Sequence, residues 1–127
     1  MITKFKTKPF DRWSKKEGIS DHDLCFAIRE IEKGKVDADL GGYLFKKRIA
    51  RQGQGKSGGF RTLIAFRKED KAFFLSGFSK NEKSNITQKE KDVLKRLSQE
   101  LIQYDDKALN KAIKQGVLIL IEVENNE

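Results

Sequence analysis

The apolar residues in the first third of the chain are spaced as in helices. Phe10 and Trp13 lie three residues apart, behind a single proline, Pro9, that suits a first helical turn. Ser20, with Asp23 three residues later, has the spacing of a helix capping box. The second apolar stripe then follows at helical intervals: Leu24, Ala27, Ile28 and Ile31. The pattern predicts an N-terminal helical hairpin.

The middle of the chain changes to a strand-like pattern. Tyr43–Ala50 and Phe60–Phe66 alternate apolar and polar residues, and Ala72–Lys80 is apolar on both sides. Arg51–Gly59 is a glycine-rich loop between the first two. We expect an antiparallel meander of these three strands, with Ala72–Lys80 in a central position. Ile2–Phe5, ahead of the helices, is short enough for an edge strand.

The alternation also predicts which side chains share a face of the sheet. Lys46, Arg48 and Arg61 each neighbour apolar residues assigned to the other side of their strand. We therefore expect these three cations on one face and the helical hairpin on the opposite face. Lys47 interrupts the apolar side of its strand.

The last third returns to helical patterns. Thr87 and Glu90 form a second capping box. The helix behind it has an apolar stripe of Val93, Leu94, Leu97 and Leu101. Asp105 or Asp106 can cap another short helix, and Val117–Val123 is a β-branched run that suits a strand on a sheet edge or added to a partner. We find no repeat or linker, so we expect one α+β domain.

Composition excludes several classes of protein. The chain has 127 residues, a net charge of +8, one cysteine and one histidine. These numbers argue against a disulfide framework and against zinc sites built from several cysteines, and we expect neither a metal nor another cofactor. No apolar run is long enough to span a bilayer, and the first residues lack a secretory pattern, so we expect a cytoplasmic protein.

The positive charge is concentrated in the middle of the sequence. Residues 40–96 hold 15 basic and 5 acidic residues, and no acid lies between Asp39 and Glu69. A field of one sign attracts polyanions, and nucleic acid is the default candidate. The alternative is a solvated basic surface. A membrane surface fits less well, because these cations do not lie on an amphipathic helix.

The glycine-rich loop contains Gly55-Lys56-Ser57 but does not fit a nucleotide-binding P-loop. That motif needs a glycine where this sequence has Ala50, and a helix where this sequence predicts a strand. Two readings stay open. The glycines supply turn conformations, or the bare backbone together with Lys56 and Ser57 approaches a phosphodiester.

The basic segment can support cleavage of RNA without paired carboxylates. The ribose 2′-hydroxyl is the nucleophile, so the protein must orient it, accept a proton and stabilise charge on phosphorus. A lysine among other cations can act as the base. DNA lacks this hydroxyl, so the chemistry is specific for RNA. Phe78 either stacks on a base or belongs to the core.

Three segments resemble the RelE/ParE superfamily of toxins from bacterial toxin–antitoxin modules, with the closest likeness to the RelE-like, HigB-type branch. They are Leu44–Arg51, Gly55–Thr62 and Phe73–Ile86. The resemblance covers residues 1–102, with 103–127 as a C-terminal extension of the same domain. It implies an α+β fold, with the helical hairpin packed on a small antiparallel sheet and a closing helix followed by a short helix and strand tail.

The resemblance also implies an activity: metal-independent, ribosome-dependent cleavage of mRNA by a toxin that a cognate antitoxin neutralises. The catalytic positions carried over are Lys46, Arg48, Arg61 and Lys80. We expect additional RNA contacts from Lys47, Arg51, Lys56, Ser57, Phe78 and Lys83. Ile86 stands where some relatives have a tyrosine, and Asn81 replaces a second basic residue. The alternatives are a ParE-like inhibitor of DNA gyrase and a non-catalytic RNA-binding module.

Overall fold

The structure, a computed structural model, describes residues 2–50 and 59–122. Arg51, Lys56, Ser57 and all but the last residue of the glycine-rich loop lie outside them. The elements of the described part, in chain order, are β1 (Thr3–Thr7), α1 (Lys8–Glu17), α2 (Asp21–Glu32), β2 (Ala38–Gly41), β3 (Leu44–Ile49), β4 (Phe60–Arg67), β5 (Lys71–Ser79), α3 (Gln88–Ile102), α4 (Asp106–Lys114) and β6 (Leu118–Leu120). None of these helices is long and apolar enough to cross a membrane.

The predicted helix starts are confirmed by their caps. Ser20 and Asp23 form the capping box of α2, and Thr87 and Glu90 form that of α3. The side chain of Asp105 accepts a hydrogen bond from the backbone of the first turn of α4. Each cap satisfies backbone N–H groups that have no partner within the helix, so these polar residues fix where the helices begin.

The strands form one mixed sheet in the order β2-β3-β4-β5-β1-β6. Neighbours from β2 to β5 are antiparallel, as the meander predicts, and β5 is an interior strand. The prediction of an edge strand at Ile2–Phe5 is wrong, because β1 lies between β5, to which it is parallel, and β6. An interior strand therefore precedes the helices, and the sheet is not purely antiparallel.

The turn before β3 also differs from the sequence prediction. Tyr43 has a φ of 66°, in the left-handed region, so it belongs to the turn, and β3 begins at Leu44. The strand on the other side of this turn, β2, has no alternating apolar pattern and was not predicted. The strand β2 is identified by its antiparallel pairing with β3.

Apolar cores lie on both faces of the sheet. Under α1 and α2, the buried side chains include Phe10, Leu24, Ile28, Ile64 and Phe74. Under α3 and α4, they include Phe5, Leu44, Leu63, Phe73, Leu101 and Leu118. The central strands β4 and β5 supply residues to both cores, which explains why β5 is apolar on both sides.

The pairing of β3 with β4 places the predicted cations on one face. Arg48 lies opposite Arg61, and Lys46 lies opposite Leu63. Because opposite residues of an antiparallel pair point to the same side, all three cations share the face that α3 partly covers. The helices α1 and α2 pack on the other face, as predicted.

An ion cluster built around the buried side chains of Lys6 and Asp11 joins β1 to the first two helices. The Lys6 ammonium lies 2.7 Å from Asp11 Oδ1 and 2.9 Å from Asp21 Oδ1, and Lys15 lies 3.1 Å from Asp11 Oδ2. Burial acts to lower the pKa of Lys6, but hydrogen bonds to the two carboxylates outweigh it and raise that pKa. Burial acts to raise the pKa of Asp11, but its bonds to Lys6 and Lys15 lower it below the usual 3.8.

A second buried ion pair joins β3 to α2. Lys47 points away from Lys46 and Arg48, and its ammonium lies 2.9 Å from Glu30 Oε1 of α2. The same ammonium donates a hydrogen bond to the Lys35 carbonyl at 2.8 Å. Lys47 is 3% exposed, so this lysine fastens the helix to the sheet.

We expect acid to weaken the fold through Asp11. Its lowered pKa means that its stabilising effect is complete above the usual value of 3.8 and is lost as pH falls through the folded-state value. Asp11→Asn should lower the free energy of unfolding by about 3 kcal/mol at neutral pH and flatten its decline in acid. Urea unfolding from pH 7 to pH 3 measures both effects, with the exposed Asp92→Asn as control. An unchanged acid decline in Asp11→Asn would contradict this assignment.

Adjacent lysines on β3 should differ in their effect on stability. Lys47→Ala leaves the Glu30 carboxylate without its lysine, and loss of one partner of a buried pair costs about 3–5 kcal/mol. Lys46→Ala, one residue earlier on the other face, should change stability by less than about 0.5 kcal/mol. Thermal and urea unfolding of both variants measure the difference. Equal destabilisation would show that the two lysines do not occupy opposite faces.

Candidate nucleic-acid interface

Lys46, Arg48 and Arg61 form the basic face of the sheet. Arg48 and Arg61 are directly opposite on neighbouring strands, which places their β-carbons about 5 Å apart. Lys46 lies two residues from Arg48 on the same side of β3. Three cations from two neighbouring strands thus lie on one patch of the sheet.

The three cations differ in burial. Arg61 is 9% exposed, and its Nη1 donates a hydrogen bond to the Gly59 carbonyl at 3.3 Å. The Arg48 side chain is 43% exposed, and Lys46 is half-buried. The basic face therefore has a deep guanidinium at Arg61 and a surface guanidinium at Arg48, which suits an anion that is partly desolvated when it binds.

An acidic residue that the sequence reasoning missed contacts the basic face. Asp37 lies just before β2, where its Oδ2 accepts a hydrogen bond from the Arg48 backbone N–H at 2.6 Å. Its Oδ1 lies 3.6 Å from Arg48 Nε. Only the unpredicted pairing of β2 with β3 brings Asp37 to Arg48, so the spacing of the residues along the chain gave no signal.

The segment between β5 and α3 holds the remaining predicted cations of the described part. Lys80 is exposed and follows Ser79, which pairs with Phe60 beside Arg61. The Lys83 ammonium lies 2.7 Å from Glu90 Oε2. This hydrogen bond, together with one from the backbone of the helix cap, lowers the pKa of Glu90 and ties the segment to α3.

Phe78 is part of the core and not an open stacking surface. It lies opposite Arg61 on β5 and is 3% exposed. The Lys83 ammonium sits 5.3 Å from the centre of its ring. Phe78 thus supports the basic face from the side and gives Lys83 a cation–π contact.

Further contacts fix the end of the sheet next to Arg61. The Ser79 backbone N–H donates to Glu82 Oε1 at 2.8 Å, and this bond lowers the pKa of Glu82. On the other face, the Trp13 ring lies so close to Gly77 that an added β-carbon would stand 2.3 Å from it. Trp13 also packs edge-on against Phe60, with ring centres 5.5 Å apart. Strand ends held in this way keep Arg61 in a fixed position.

The structure brings together part of the predicted site. Lys46, Arg48 and Arg61 share the basic face, and Lys80 lies at the same end of the sheet. Lys47 lies on the other face in its ion pair with Glu30, so it does not join them. Arg51, Lys56 and Ser57 lie outside the described residues.

The side chains of this site suit a phosphate more than a metal. Arginine offers planar pairs of N–H donors that match phosphate oxygens, and lysine supplies a compact positive charge. Within residues 2–50 and 59–122, no group of three or more His, Cys, Asp or Glu side chains is arranged to hold a metal ion. The basic face can bind a phosphodiester and stabilise additional negative charge on it.

Comparison with known proteins identifies the family. A search of curated proteins gives no significant match. The family model described as the RelE toxin of the RelE/RelB toxin–antitoxin system matches residues 2–123, nearly the whole chain. The chain therefore belongs to the RelE toxin family.

Proposed function

We propose that this RelE-family toxin is a ribosome-dependent endoribonuclease that cleaves mRNA and so inhibits translation. The observation that supports the proposal most directly is the shared position of Lys46, Arg48 and Arg61 on one face of the sheet. A passive RNA-binding surface gains affinity from dispersed cations and exposed aromatic rings. Here the three cations share one patch of the sheet, and Phe78, which lies opposite Arg61, is buried.

The proposed reaction is an in-line attack of a ribose 2′-hydroxyl on the adjacent phosphorus. The new O–P bond forms a 2′,3′-cyclic phosphate as the bond to the 5′-oxygen breaks, and that oxygen leaves with a proton as a 5′-hydroxyl. Arg61 and Arg48 stabilise the charge that builds up on the phosphate oxygens. Lys46 supplies a third positive charge at the phosphate, while water accepts the proton of the 2′-hydroxyl and returns one to the departing 5′-oxygen. Lys80, at the same end of the sheet, contacts the RNA backbone.

The proposal includes the cellular setting. Membership in the RelE family implies an antitoxin partner. We place the toxin in the HigB-type branch and in the cytoplasm, where ribosome-bound mRNA is the substrate. The antitoxin would silence it by covering the basic face or by adding enough bulk to exclude it from the ribosome.

The decisive experiment incubates the purified protein with ribosomes programmed with a defined mRNA and maps the new mRNA ends. New ends that depend on both ribosome and toxin support the proposal. Inhibition of DNA gyrase without new ends would instead assign the ParE-like activity. Binding of RNA with neither effect would leave a non-catalytic binding module.

Arg61→Ala should lower the cleavage rate by about 10²–10³-fold, because one fixed donor to the developing charge is lost. Arg61→Lys should recover part of the rate, since a lysine keeps the charge but not the paired donors. Arg67→Ala is the matched control, on the same face of β4 but at its far end, where Arg67 pairs with Asp70. Circular dichroism checks that each variant is folded. Full growth arrest by a folded Arg61→Ala protein would contradict the mechanism.

Binding to single-stranded RNA should weaken steeply with salt. Five phosphate contacts give a slope of about −3.5 in a plot of log affinity against log salt, which is roughly 100-fold between 50 and 200 mM. Lys46→Ala should reduce the slope by about 0.7, whereas Lys111→Ala on α4 should not change it. Fluorescence anisotropy with a labelled oligoribonucleotide measures both slopes. A wild-type affinity that does not respond to salt would argue for a protein target and against the RNA proposal.

A further inference from the structure

Hydrogen bonds fasten the segment before β2 to the strand that holds Lys46 and Arg48. The Asp37 backbone N–H donates to the Lys46 carbonyl at 2.9 Å, and the Arg48 backbone N–H donates to Asp37 Oδ2 at 2.6 Å. Two residues earlier, the Lys35 carbonyl accepts a hydrogen bond from the buried Lys47 ammonium at 2.8 Å. The main chain and the carboxylate of Asp37 are therefore both fixed relative to β3.

The second carboxylate oxygen of Asp37 faces the guanidinium of Arg48. Oδ1 lies 3.6 Å from Arg48 Nε, which is within ion-pair distance but longer than a hydrogen bond. The guanidinium has five N–H donors, and this contact involves only the Nε side. The Arg48 side chain is 43% exposed, so its remaining donors can meet a ligand from solvent.

We propose that Asp37 is a positioning residue that holds the Arg48 guanidinium in the orientation needed for a phosphate. An exposed arginine samples many rotamers, and a fixed negative charge beside Nε restricts them before the ligand binds. The contact is long enough that Arg48 can shift toward the phosphate without breaking a strong bond. This inference rests on the proposed RNA-cleaving function, because it assigns Arg48 to a phosphate.

The arrangement also places a negative charge where it weakens attraction of RNA. Asp37 lowers the positive potential next to Arg48, so its removal alone should strengthen RNA binding at low salt. A positioning role predicts a different effect on the reaction, because a loosely held Arg48 binds RNA but stabilises the transition state less well. Binding and rate should therefore change in opposite directions.

Asp37→Asn separates a positioning role from a structural one. The asparagine side chain can still accept the hydrogen bond from the Arg48 backbone, but it lacks the charge that attracts the guanidinium. Asp39→Asn is the matched control: it removes the same charge two residues further along, in β2, where Asp39 accepts a hydrogen bond from the Gly41 backbone in its local turn. We expect Asp37→Asn to lower kcat about 10-fold with KM unchanged or lower, and Asp39→Asn to leave kcat unchanged.

Arg48→Lys completes the test through a double-mutant cycle. Lysine keeps the positive charge but has no Nε donor beside Asp37, so Arg48→Lys should already lack the oriented group. In that background, Asp37→Asn should change kcat by less than about two-fold. Additive losses would overturn the proposal, as would equal kcat values for Asp37→Asn and Asp39→Asn.

A second measurement does not depend on cleavage. In nuclear magnetic resonance spectra, the Arg48 Nε proton should exchange with water faster in Asp37→Asn than in the wild type or in Asp39→Asn. If the wild type cleaves no mRNA but this acceleration is seen, the proposed function fails, while Asp37 still orients Arg48. Unchanged exchange in Asp37→Asn overturns the positioning role whether or not the protein cleaves RNA.

Discussion

A slip of one residue between β3 and β4 would exchange the two faces of the strands that form the centre of this site. Phe60, Ile64 and Phe66 would leave the core under α1 and α2, and Arg61 would enter it. The apolar cores on both sides of the sheet prevent this slip, because each accepts only one set of side chains. The observed register then places Arg48 opposite Arg61. The position of the cations is thus a consequence of how the cores are filled.

That register has an energetic cost. Like charges directly opposite each other on neighbouring strands repel, and here Arg48 faces Arg61. Neighbouring oxygens offset part of the repulsion, from the Gly59 carbonyl at Arg61 and from the carboxylate beside Arg48. A bound phosphate would offset more of it, since each of its oxygens can accept from a guanidinium. The stability of the folded cores allows the site to keep its cations close together before any ligand arrives.

Local patterns predicted the parts of the molecule that depend on neighbours in sequence. The capping boxes at Ser20 and Thr87 and the alternation that groups Lys46, Arg48 and Arg61 are signals of this kind. The interior position of β1 has no such local signal. Its parallel pairing with β5 joins residues some 68 apart in the sequence, so the residue pattern within neither strand indicates it. The same holds for β2, which has no apolar pattern of its own. The sequence left open whether Phe78 stacks on a base or belongs to the core. Its burial depends on how the segment around Lys83 packs over it.

The place of β1 in the sheet sets an order in which the chain can fold. β1 precedes every other described element in the chain, yet its two neighbours in the sheet are β5 and β6, and β6 is the last described element. The antiparallel hairpins from β2 to β5 can close soon after each is made, but β1 gains its final partner only when Leu118–Leu120 has been synthesised. At 5–20 residues per second, this delay after Thr7 is roughly 5–20 s. In the later part of that interval, after β4 has been synthesised, the basic strands are present while the sheet is still incomplete. A newly made toxin chain therefore passes through a period in which a partner can meet it before it is fully folded.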